Sequence, residues 1–111
     1  MITVEIKRNQ DEHIQSFTMS GHANAGPYGQ DLVCAGASAV SFGSVNAIAA
    51  LCGVELEIEM QEDGGFLRCT VPTGLDVQTY EKVQLLLNGM VVSLQSIAAE
   101  YQDHLQVKEN L

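Results

Sequence analysis

Apolar and polar positions alternate from the start of the chain. Ile2, Val4 and Ile6 fall on one side and Thr3, Glu5 and Lys7 on the other. A period of two marks a strand with one buried face, so residues 2–8 are read as a strand. Asn9, Gln10 and Asp11 have turn chemistry. Residues 13–19 resume the alternation, with Phe17 and Met19 on one side, and the two runs make a hairpin.

The pattern then changes. From Asp31 to Leu51, Ala, Ser and Gly surround Val33, Val40, Val45, Ile48 and Leu51, and Asp31 carries the only formal charge. A helix this uncharged is buried on most sides, and its small residues let neighbouring backbones come close. Gly53 is expected to end it. VELEIEMQ, residues 54–61, is read as a strand with Val54, Leu56, Ile58 and Met60 inward and Glu55, Glu57 and Glu59 outward. Asp63, Gly64 and Gly65 form a tight turn, and FLRCTV returns with Leu67, Cys69 and Val71 on one face.

Pro72 and Gly74 break the chain before a long amphipathic helix over residues 76–102. Val77, Tyr80, Val83, Leu87, Val91, Leu94, Ile97 and Tyr101 recur there at steps of three and four. Leu85, Leu86 and Val92 widen its apolar face, for core burial or for contact with a second copy. HLQVKE adds a short final strand. The order β-β-α-β-β-α-β, rich in hairpins, predicts an α+β fold: a mostly antiparallel sheet with two helices packed on it.

The 111 residues make one domain, residues 1–111, and a hydrophobic content of 46% supports a core without staples. Three cysteines without paired spacing argue against a disulfide framework and for a reducing, cytoplasmic setting. MITVEIKRN lacks the continuous apolar run of an export signal. No stretch has the roughly 20 consecutive apolar residues of a membrane span, so no membrane is expected as a partner. A net charge of −9 repels phosphate backbones, which disfavours direct nucleic-acid binding and suits a basic partner.

The candidate chemistry lies in SGHANAGPYGQDLVCAGAS, residues 20–38. Read from the sequence, Asp31 caps the helix and Cys34 falls in its first turn. Unpaired N–H groups and the helix dipole there favour the thiolate, which is the nucleophilic form. They would also hold an oxyanion. His22 follows the second strand, where a histidine can stabilise a thiolate and protonate a leaving amine. The segment between them, with Gly26, Pro27 and Gly29, is short enough to let the two meet.

Taken singly, a cysteine among small residues is most often a packing residue and a loop histidine is most often solvated. The combination is what points to catalysis. Cys52 and Cys69 are read as packing residues, and His13 and His104 as surface histidines. Without C-x-x-C or H-x-x-x-H spacing no metal site is expected. The glycines at 26 and 29 lack the Lys and Ser/Thr of a phosphate-binding loop, and no cofactor is called for.

GHA, a glycine-containing loop, then GQDLVCA and Ser38 resemble the signature of the ribosomal-processing cysteine proteases, the Prp family. His and Cys stand twelve apart with Asp three before the Cys, and the similarity runs over nearly the whole chain. The resemblance implies a cysteine endopeptidase with a His–Cys dyad, here His22 and Cys34. Gly21, Gly29, Asp31 and Ser38 match other positions of the motif. The implied substrate is a basic precursor, the twenty-seventh protein of the bacterial large ribosomal subunit, whose N-terminal extension is removed during ribosome assembly. The implied assembly is a homodimer. Two other readings fit the same residues: a non-enzymatic module that binds a basic ribosomal protein, and a redox-sensing thiol protein in which Cys34 oxidises reversibly.

Overall fold

The computed structural model describes residues 1–21, 28–61 and 65–110, and the side chains of the first helix from residue 32 onward. The elements are β1 (Ile2–Arg8), β2 (Ile14–Ser20), α1 (Tyr28–Cys52), β3 (Glu57–Met60), β4 (Phe66–Thr70), α2 (Val77–Glu100) and β5 (Leu105–Asn110). The expected order therefore holds. The turn expected at Asp63 and Gly64 lies outside the described residues.

The strands form one sheet in the order β3-β4-β2-β1-β5. β1–β2, β2–β4 and β3–β4 are antiparallel, whereas β5 lies parallel to β1, with Val4 opposite Val107. The sheet is thus mixed, though mostly antiparallel. The parallel pair follows from α2, which crosses over the sheet and returns the chain in the direction of β1. The β1–β2 turn is an Asx turn: Asn9 Oδ1 accepts from the N–H groups of Asp11 at 2.9 Å and His13 at 3.0 Å.

Alternation decides the two faces. Ile2, Val4, Ile6, Phe17, Leu67 and Cys69 are buried in one cluster with Val33, Ala37 and Ile48 of α1 and Val83, Leu87 and Leu94 of α2. Glu5, Lys7, Ser16, Thr18, Arg68 and Thr70 line a shallow depression on the opposite face. The small residues of α1 permit close helix packing: a Cβ on Gly36 would lie 3.6 Å from Ile97 Cδ1 of α2. Leu32–Cys52 and Val77–Glu100 are long and apolar enough to cross a membrane by length and composition alone. Here each contributes side chains to the cluster over the sheet.

Two elements differ from expectation. The strand read over 54–61 is confined to Glu57–Met60. Val54 and Leu56 are buried as expected, but Ile58 and Met60 are exposed. β3 is an edge strand of the sheet, paired with β4. The second difference is the start of α1 at Tyr28, directly after Pro27, rather than near Asp31. Gly53, at φ +67°, ends the helix as expected.

Candidate active site

Cys34, Ser38 and Phe42 recur at steps of four along α1 and so form one stripe. That stripe makes one wall of a groove of about 160 Å³. The opposite wall comes from the sheet: Ile2 of β1, Met19 of β2, Met60 of β3 and Phe66 and Leu67 of β4, with Gly21 and Gln61 at strand ends. Apolar side chains dominate this lining, so the groove favours an apolar occupant beside the thiol. Cys34 is half-buried and unbridged, as Cys52 is.

Gly21 closes one end of β2. Its φ is +103°, and a Cβ there would fall on the Met1 carbonyl oxygen. Only glycine fits. Its N–H donates to the Gly65 carbonyl at 3.1 Å, which ties the strand end to the start of β4. The next residue in sequence is His22. Gly21 is therefore held against the starts of both neighbouring strands.

The start of α1 changes the electrostatic argument for Cys34. Asp31 is the fourth helical residue and not the cap. Cys34 is the seventh, about 9 Å along the axis from the first. The unpaired N–H groups and the dipole act within the first turn, so they do not reach this thiol as the sequence suggested. In the sequence a proline precedes Tyr28, a residue type that has no N–H to give and suits the entry to a helix.

The family model for cysteine protease Prp matches residues 1–106. This chain belongs to the Prp family of cysteine proteases. The ribosomal processing cysteine protease Prp of Bacillus subtilis strain 168 is 48% identical over 111 residues, covering 100% of this chain and 99% of that protein. Two crystal structures of the essential ribosomal processing protease Prp from S. aureus share the fold. One, in complex with a substrate peptide, has a TM-score of 0.86 and 39% identity, covering 98% of this chain and 99% of that one. The other, with a covalently linked product peptide, has a TM-score of 0.85 and 40% identity over the same shares.

Among the motif positions of this Prp family member, the groove gathers Gly21, Cys34 and Ser38. Gly29 and Asp31 lie on the first turns of α1, and His22 lies outside the described residues. Sequence reasoning missed Phe42, Met60, Gln61 and Phe66 as neighbours of Cys34. Phe42 had a signal, the step of four from Cys34 and Ser38. The strand residues had none, because strand neighbours are set by sheet order.

The other cysteines and histidines have different surroundings. Cys69 is buried between Phe17 and Ile58 on its flanking strands, and burial pushes its thiol up to about 11. His13 is exposed and meets Tyr80 edge-on, with ring centroids 5.1 Å apart. His104 departs from the surface expectation. It is half-buried, its Nδ1 is shielded with no hydrogen-bond partner among the described residues, and its carbonyl accepts from the Ile2 N–H at 2.8 Å.

Proposed function

We propose that this chain is a cysteine endopeptidase that removes the N-terminal extension of the twenty-seventh large-subunit ribosomal protein, using Cys34 and His22. The observation that carries the reading is Cys34 on the wall of an apolar groove that is also lined by Gly21, the residue before His22. Cys34 Sγ, as thiolate, attacks the scissile carbonyl. The carbon–sulfur bond forms, and collapse of the tetrahedral adduct expels the amine, which takes its proton from the imidazolium of His22. Neutral His22 then takes a proton from water, which attacks the thioester and releases the new carboxylate and the thiol. With the helix start two turns away, stabilising the thiolate is the task of His22 in this scheme.

The net charge of −9 suits a basic ribosomal protein as substrate. The absence of disulfides among the three cysteines suits a reducing cytoplasm. For the homodimer, exposed Leu85 and Val92, seven residues apart on one stripe of α2, offer apolar surface.

The test is a synthetic peptide spanning the extension of that ribosomal protein from the same organism. It is incubated with wild-type chain, Cys34→Ala and His22→Ala, and the products are read by mass spectrometry. The expected result is one cut by wild type and a loss of at least about 10³-fold in both variants. An intact peptide that still binds all three chains would replace the protease by a binding module.

A further inference from the structure

β3 is the last strand of the sheet and is hydrogen-bonded on one side, to β4. Its four residues, Glu57, Ile58, Glu59 and Met60, are all exposed. Ile58 lies opposite Cys69 and Met60 opposite Leu67, so both point to the helix-covered side of the sheet. Yet they are 47% and 61% exposed. Natural edge strands are guarded by short length, charged side chains, Pro or bulges. β3 is short and carries Glu57 and Glu59 on one face, but among the described residues the other face, Ile58 and Met60, is left open. Such surface marks a site of contact.

The position of this edge says what covers it. Met60 and the following Gln61 line the groove that holds Cys34, together with Phe42 of the thiol stripe, itself 42% exposed. Cys34, Phe42 and Met60 thus share one groove, and Ile58 lies two residues from Met60 on the same face of β3. On the other side of β3, Glu57 and Glu59 face solvent, and Glu59 has one distant cation, Arg68 at 4.0 Å.

We propose that the substrate docks as an added strand on the outer edge of β3 and passes from there to Cys34. This deepens the proposed function and rests on it. The docked segment is extended. It pairs its backbone with the N–H and C=O groups on the outer edge of β3, which have no strand partner among the described residues, sets alternate apolar side chains beside Ile58 and Met60, and turns polar or basic ones toward Glu57 and Glu59. At roughly 3.3 Å per residue, the paired segment ends a few residues from the scissile bond. Cleavage then requires a segment with alternating apolar positions near the cut, not the bond alone.

The test is binding of the fluorescently labelled extension peptide to Cys34→Ala, read by anisotropy, so that no turnover intervenes. Ile58→Ser in that background weakens binding about tenfold, the loss expected for one apolar contact. Leu51→Ser, 73% exposed at the far end of α1, leaves it unchanged. Peptides N-methylated at alternate amides split into two sets: one set binds about tenfold more weakly and the other binds as before, because only alternate amides face a neighbouring strand. This scan uses unaltered β3 and stands even if Ile58→Ser unfolds.

Equal binding by Ile58→Ser, no split between the N-methyl sets, or no binding at all overturns the docking. A change in sedimentation of Ile58→Ser without a change in peptide affinity also overturns it, and makes β3 a contact between copies. Wild-type cleavage is scored in parallel. An uncut peptide that still docks through β3 removes the protease reading and leaves the docking standing.

Discussion

Gln84 holds Ile14 by both ends of its side-chain amide. The Ile14 N–H donates to Gln84 Oε1 at 2.7 Å, and Gln84 Nε2 donates to the Ile14 carbonyl at 2.8 Å. Gln84 is buried on α2, and Ile14 opens β2. The pair completes the backbone pairing of the strand start with a side chain, and it docks the helix at one register along the sheet. Gln84→Ala leaves a buried N–H and C=O without partners, each costing about 1–3 kcal/mol. The variant is expected to lose about 2–4 kcal/mol of stability in urea titration, with little change in m.

Gly21→Ala combines a left-handed φ of +103° with a Cβ placed on the Met1 carbonyl oxygen. The strain costs about 1–3 kcal/mol, and relief requires the end of β2 to move. A lower melting temperature is expected together with a larger fall in kcat than that of Gly53→Ala. Gly53 has φ +67° but open space around its Cβ position, and it lies at the far end of α1. Equal kcat in the two variants would separate Gly21 from the active site.

Cys69 is 1% exposed and its thiol is pushed up to about 11, so it is protected twice from alkylation. Iodoacetamide at neutral pH is expected to label Cys34 in the native chain and Cys69 only after unfolding, as read by peptide mass mapping. The raised value also has a consequence for stability. Above the ordinary value of 9.0 the unfolded thiol loses its proton while the folded one keeps it until about 11. The unfolded state then binds fewer protons, so stability present below pH 9 is lost as pH rises toward 11. Cys69→Val, compared with wild type over that range in urea titrations, is expected to show the shallower decline.

Much of the fold was legible in the chain. The alternation of Ile2, Val4 and Ile6, the steps of three and four from Val83 to Leu94, and Gly53 are local signals. Each reports which side of its own element is apolar or where that element stops. The motif around His22 and Cys34 was equally local, and it carried the family. The cap was misplaced because Asp31 and the residues before it suit either a cap or a helical first turn, and side-chain preference alone does not choose between them.

Pairing and coverage were decided by the tertiary structure. Nothing in HLQVKE states that β5 will lie parallel to β1, because a strand's pattern names its buried face and not its neighbour. Nothing in VELEIEMQ separates buried Leu56 from exposed Ile58 and Met60. That difference arises at the edge of the sheet. The same non-local packing brings Met60 and Phe66 beside Cys34. Sequence by itself determined the elements, most of their apolar faces and the candidate thiol, Cys34. The groove around that thiol required the sheet order, since its walls come from five elements that only folding makes adjacent.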